Sequence, residues 1–178
     1  MRHITLQVSV RDVVFGENVT IIEPVNIYGC KIGKNSFVGP FTEIQKDVVI
    51  GEKCKIQSHA FICELVTIGN NCFIGHGVIF VNDLFSTGGP AMRDKDLLKP
   101  TIIGNNVSIG SNATILPVAI CDNVVIGAAS VVTKNITKPG IYAGNPAKFL
   151  RSIEGTNTYT TNALNGEISE TSESGINN

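Results

Sequence analysis

The chain has no tryptophan, two methionines, three histidines and an aromatic content of 6%. A core built around large rings is excluded, so any interior must be filled by aliphatic side chains. Charges of opposite sign nearly cancel, 14 Lys and Arg against 15 Asp and Glu, for a formal charge of -1. That balance gives no general attraction to nucleic acid or to an anionic membrane surface. No apolar run approaches the roughly 20 residues that a membrane-spanning helix requires. The opening stretch MRHITLQVSV lacks the apolar core of a secretory signal. The expectation is a soluble, cytoplasmic protein with no nucleic acid and no membrane among its partners. Five cysteines are too few and too oddly counted for a disulfide framework, and no Cys-x-x-Cys pair occurs. Neither a stapled scaffold nor a zinc site is therefore expected.

What the chain does have is a period. Ile32, Val38, Ile44, Ile50, Ile56, Ile62, Ile68, Ile74 and Phe80 follow one another at intervals of six, and all are apolar. Four positions after each of the first eight stands a small or β-branched residue: Ser36, Thr42, Val48, Cys54, Ala60, Val66, Cys72 and Val78. A fixed period of this length is the signature of a hexapeptide β-helix. Each hexad supplies one short strand and a turn. Side chains alternate along a strand, so the large residue and the small residue two positions before it share the inward face. Three hexads close one triangular coil, and residues 18 apart stack on successive coils. A lone coil cannot bury its own apolar stripe, whereas a stack of coils buries a continuous one. Cys54 and Cys72 are 18 apart and are read as stacked, buried thiols. The expected fold is thus all-β, a parallel β-helix of hexapeptide repeats with one long protruding loop and a short C-terminal extension.

At 178 residues the chain supports one domain, read as 1–154, with a polar tail over 155–178. Residues 1–31 enter the helix imperfectly, because Phe15, Ile21 and Ile27 keep step but Ile27 to Ile32 is five. A worn first coil suits the end of a stack, where edge pairing must be prevented. The frame breaks again after Phe80, since Ile103 follows 23 positions later where six would do. That step holds 17 residues more than the repeat needs, and they fall in a loop read over 82–101, which mixes glycine, proline and charge. Loops this long in a compact repeat are usually functional or disordered. The repeat resumes through Ile103, Ile109, Ile115, Ile120, Ile126 and Val132, with one further step of five.

The 18-residue register also sorts the polar residues by corner. One corner carries Ser58, His76, Ser111 and Ala128, with His59 beside Ser58. Another carries Lys46, Glu64, Asn82, Pro117 and Lys134, and from it the loop departs. The candidate site is the pair of corners at the level of the middle coils: His76, Asn82 and Glu64 for catalysis, Asp83 and His59 for substrate binding. His3 falls in the worn coil and is assigned nothing.

These residues resemble those of the left-handed β-helix acyltransferases. The resemblance covers about 120 residues. The stretch IGNNVSIGSNATILPVAICDNVVIGAASVVTKNI, followed by AGNPAKFLR, is similar to the acyl-CoA-binding half of that family. FICELVTIGNNCFIGHGVIFVND resembles the branch that N-acylates nucleotide-linked 3-amino sugars for surface glycans such as lipopolysaccharide. The resemblance implies a left-handed helix, a homotrimer with the site between two subunits, and acetyl-CoA as co-substrate without a metal. It implies an acetyl transfer to a dTDP-linked 3-amino-3,6-dideoxyhexose. Ser111, Gly127, Ala128 and Ala129 would let a pantetheine arm lie close to the backbone. Lys134, Lys148 and Arg151 would meet the CoA phosphates. His76 is read as a base or as an orienting residue; similar enzymes carry proline there, which favours orientation.

Three other readings stand beside this one. A carbonic anhydrase on a similar β-helix needs three zinc histidines, two of them close in sequence, a spacing that His3, His59 and His76 do not show. A non-catalytic scaffold would not require the loop or the CoA-like stretch. O-acetylation of a sugar or serine hydroxyl is the alternative within the enzyme class.

Overall fold

A computed structural model of the chain describes residues 9–92 and 94–153. The tail over 155–178, the boundary at 154 and His3 lie outside the described residues. Among these the chain is strand and turn, apart from one short 3-10 turn at Lys95–Leu97. The strands form three sheets of seven, six and eight members. Successive strands visit the first, second and third sheet in rotation, so each triplet is one coil of a parallel β-helix. The first sheet includes Glu43–Ile44, Phe61–Ile62 and Ile79–Phe80; the second, Val49–Ile50, Val66–Ile68 and Thr101–Ile103; the third, Lys55–Ile56, Phe73–Ile74 and Ser108–Ile109.

The predicted register holds. Ile44 pairs with Ile62, Ile50 with Ile68 and Ile56 with Ile74, each 18 positions on. All nine hexad residues and all eight of their small or β-branched partners are buried in one apolar column. Ser36 and Thr42 are the polar members of that column. Both are satisfied by main-chain carbonyls, Ser36 Oγ donating to Gly51 O at 3.0 Å and Thr42 Oγ1 to Gly39 O at 2.8 Å. Cys54 and Cys72 are buried free thiols. The first coil is less worn than its spacing suggests. Val10, Val14 and Thr20 begin strands that pair in register with the next coil. What sets this coil apart is that Val14 and Phe15 stay exposed, on a strand that is the edge of its sheet among the described residues.

The three corners differ. The corner from the second to the third sheet turns through residues with positive φ: Asn18, Asn35, Lys53, Asn71, Asn106 and Asn123. Asparagine tolerates this left-handed conformation better than most side chains. Its amides also form a ladder, Asn71 Nδ2 donating to Asn106 Oδ1 at 3.3 Å and Asn106 Nδ2 to Asn123 Oδ1 at 3.2 Å. The corner from the third to the first sheet makes the same turn with Phe41, His59, Gly77, Asn112 and Ala129. All the irregularities of spacing fall on the remaining corner, from the first to the second sheet. The two steps of five, at Ile27 to Ile32 and Ile115 to Ile120, lie there, and so does the loop. The strand after the loop begins at Thr101, one residue inside the predicted loop, with its hydroxyl bonded to Leu116 O at 3.4 Å. The stack ends on an antiparallel pair that the hexad pattern does not predict, Gly140–Ala143 with Lys148–Arg151. It is held by an edge-to-face contact of Tyr142 and Phe149, 5.4 Å between centroids.

Candidate functional site

The corner from the third to the first sheet brings the predicted residues into one column. His76 is exposed, and its Nδ1 lies 2.8 Å from Ser58 Oγ on the coil below. Two main-chain bonds fix the turn: Gly77 N–H donates to Ser58 O at 3.0 Å, and Asn112 N–H donates to His76 O at 2.8 Å. A serine hydroxyl both donates and accepts, so it supports either neutral tautomer of the ring. A catalytic base is normally held in one tautomer by an acceptor such as a carboxylate. Ser58 therefore positions the His76 ring without committing its proton.

Above His76 the column is small. Ser111 is half-buried, and Ala128 and Ala129 are exposed. Ala129 N–H donates to Ser111 O at 2.8 Å. A Cβ on Gly127 would stand 2.8 Å from Ala143 Cβ, so glycine there lets the terminal strand pair close against the coil. Lys148 and Arg151 are exposed on that terminal pair, whereas Lys134 is exposed on a different corner.

Below His76, His59 does not join its pair with Ser58. It stacks instead on Phe41, 18 residues earlier, with centroids 5.0 Å apart and planes at 16°. Beside Phe41 opens a cavity of about 210 Å³ lined by Pro24, Val25, Asn26, Phe41, Thr42 and Glu43.

The loop corner carries the second half of the predicted set. Asn82 Nδ2 donates to Glu64 O at 3.2 Å, so the two are on adjacent coils as expected, but the bond goes to the main-chain carbonyl. The Glu64 carboxylate faces two ammonium groups, Lys46 Nζ at 3.6 Å and Lys95 Nζ at 3.9 Å, the latter from the loop. Asn82 O accepts from Lys99 N–H at 2.9 Å, which closes the neck of the loop. Asp83 accepts from Phe85 N–H at 2.8 Å and Ala91 N–H at 2.7 Å, and so folds the loop's first turn. Within one chain the first sheet separates this corner from the His76 corner, and the two sets do not meet. Among the described residues there is no gathering of three or more His, Cys, Asp or Glu side chains that could hold a metal ion.

Phe41 and Lys95 went unmarked in the sequence reading. Phe41 was accessible to it, because it lies one period below His59. Lys95 was not, because the loop has no period.

Two family descriptions match the chain. Bacterial transferase hexapeptide (six repeats) matches residues 29–64, and hexapeptide repeat of succinyl-transferase matches 65–81 and 100–134. The gap between the last two segments is the loop. These matches and the fold together make the chain a β-helix of hexapeptide repeats.

Bifunctional protein GlmU of Clostridium botulinum (strain ATCC 19397 / Type A) is 36% identical over 107 residues, 60% of this chain and 21% of its own length. The chain thus spans about a fifth of that relative. Among solved structures it is similar to AntD, an N-acyltransferase from Bacillus cereus in complex with dTDP and 3-hydroxybutyryl-CoA. That likeness has 24% identity and a TM-score of 0.68, covering 79% of this chain and 82% of the other. A hexapeptide-repeat-containing acetyltransferase of Vibrio cholerae O1 biovar eltor, complexed with acetyl coenzyme A, is 26% identical with a TM-score of 0.60. The match covers 71% of this chain and 72% of that one.

Proposed function

We propose that the chain is an N-acetyltransferase that moves the acetyl group of acetyl-CoA to the amine of a dTDP-linked 3-amino-3,6-dideoxyhexose, for surface-glycan synthesis in the cytoplasm. The observation that carries this reading is the His76 column. A positioned, solvent-facing imidazole stands directly below a run of small residues on a β-helix that acyl-CoA-binding proteins share. The pantetheine arm lies along Ser111, Ala128 and Ala129, with Gly127 keeping the terminal strands close. Lys148 and Arg151 on those strands, and Lys134, are the cations available to the CoA phosphates.

The functional unit is a homotrimer. Copies of the chain bring the His76 corner of one against the Glu64 and Asn82 corner of the next, which one chain keeps apart. The neutral sugar nitrogen attacks the thioester carbonyl. A C–N bond forms and the C–S bond breaks. The CoA thiolate leaves with the electron pair and takes up a proton, and the ammonium proton of the adduct goes to solvent. His76, steadied by Ser58, orients the amine. Asn82 holds the sugar at the neck of the loop. Glu64, neutralised by Lys46 and Lys95, acts on the field of the cleft and on the loop's position, and Asp83 shapes the loop that covers it.

The test is thiol release from acetyl-CoA across a panel of nucleotide-linked 3-amino and 4-amino sugars, with hydroxyl analogues in parallel. Release that depends on a 3-amino sugar is the expected result. Release with the hydroxyl analogue instead makes the chain an O-acetyltransferase. No release with any acceptor ends the reading.

A further inference from the structure

Phe41 and His59 occupy a position whose backbone argues against them. Their φ values are +60° and +62°, the left-handed region. At the equivalent turn of the neighbouring corner five of six residues are asparagine, Asn18, Asn35, Asn71, Asn106 and Asn123, and the sixth is the unbranched Lys53. An aromatic side chain there costs about 1–2 kcal/mol relative to a residue that tolerates the conformation. Residues held in such conformations cluster at ligand clamps. The pair is also largely in solvent, with Phe41 58% exposed, so core burial does not explain it. His59 lies against one face of Phe41. The cavity of about 210 Å³ is lined by Phe41 and not by His59. Its walls add Pro24, Val25 and the polar edge of Asn26 and Glu43.

The column fixes the distance to the acyl-transfer site. His59 is one coil below His76 and Phe41 is two coils below, so the shelf lies roughly 10 Å down the corner. That separation leaves room for a diphosphate between a sugar at His76 and a planar ring at Phe41.

We infer that the cavity beside Phe41 is a nucleobase subsite for the substrate's nucleoside diphosphate, with His59 bracing Phe41 as a positioning residue. The inference rests on the acyltransferase reading for the rest of the substrate. The base stacks on the open side of Phe41. Glu43 carries one bond from Gln45 Nε2, at 3.0 Å, and as a carboxylate has lone pairs to spare for a ring N–H. The Asn26 amide supplies a donor for a neighbouring ring carbonyl. Thymine and uracil offer an N–H between two carbonyls, and cytosine has no ring N–H to give.

The experiment is calorimetric titration of the full chain with dTDP and CDP, without acceptor sugar, in wild type and in Phe41→Asn, His59→Asn, His59→Phe and Glu43→Ala. Wild type binds dTDP more tightly than CDP. Phe41→Asn and His59→Asn fold with an unchanged or higher Tm, because asparagine suits the backbone, yet bind dTDP at least about fivefold more weakly. His59→Phe keeps the stack and binds within about twofold of wild type. Glu43→Ala removes the preference for dTDP over CDP. A wild type that ignores dTDP overturns the inference, and so does an unchanged dTDP affinity in folded Phe41→Asn. A Tm loss in both asparagine variants with unaltered affinity assigns the pair to stability and also overturns it. If dTDP binding follows the expected pattern while no amine stimulates thiol release, the acyltransferase reading fails and the subsite stands.

Discussion

Two corners of this helix make the same turn with different residues. The corner from the second to the third sheet is built for stability: positive-φ asparagines bond side chain to side chain up the stack. Beside them Asp122 accepts from Asn105 N–H at 2.7 Å and Asn105 Nδ2 at 3.1 Å, and Asn105 Oδ1 accepts from Asn70 N–H at 2.9 Å. The corner from the third to the first sheet uses the same backbone with Phe41, His59, Gly77, Asn112 and Ala129. Asparagine rungs do not run through it; its side chains meet across coils as unlike pairs, Ser58 with His76 and Phe41 with His59. One corner repeats what the backbone wants. The other departs from it, and the departures coincide with the imidazole, the stacked pair and the cavity.

Substitutions sharpen this contrast, and the largest effect belongs to the interior that both corners enclose. Ile68 is 1% exposed, with apolar neighbours on its face. Ile68→Asp should leave the protein unfolded or aggregated, because an unpaired carboxylate there has neither water nor partner. A soluble protein with wild-type Tm would refute the register.

Gly69→Ala comes next. The new Cβ would stand 2.7 Å from the Gly104 carbonyl carbon and oxygen, so two coils must separate. A loss of about 1–3 kcal/mol in denaturant unfolding is expected.

The third prediction is a pair that tests the comparison directly. Asn106→Ala loses both rungs of the ladder and leaves a side chain strained at φ +55°. Stability should fall by about 1–2 kcal/mol, with turnover within about twofold of wild type. His76→Asn should do the reverse, keeping Tm while lowering kcat by less than about a hundredfold, the low end of what a general base supplies. The acidic limb of the pH–rate profile should persist, reporting the substrate amine. A thousandfold loss with the limb removed would make His76 the base.

The smallest effect concerns acid. Hydrogen bonds from the Asn105 backbone, and then from its side chain, hold the Asp122 carboxyl below its usual value of 3.8. A folded pKa below the unfolded one means that the stabilisation is present above about pH 4 and is lost as pH falls through the folded value. Asp122→Ala should flatten the acid limb of a Tm–pH curve below pH 4 and leave the curve above pH 6 parallel to wild type.

The sequence carried the fold because a β-helix is nearly one-dimensional. Once Ile32 to Phe80 set the period, every inward residue and every corner followed by counting, and His76 could be set over Ser58 without coordinates. The loop could be located by the same count, since it is where counting fails. Its folding could not, because no period governs Lys95 returning to Glu64 or Asp83 gathering the amides of Phe85 and Ala91.

Register alone determined which residues share a coil level and a face, through the fixed alternation of strands and the fixed closure of the triangle. Tertiary structure decided what those neighbours do with each other. His59 could have turned to His76 and instead lies on Phe41; Asn82 could have met the Glu64 carboxylate and instead takes its carbonyl. Those choices depend on side-chain direction at a left-handed turn and on charges brought back by the loop. Both are set by three-dimensional crowding, which a count of residues along the chain does not contain.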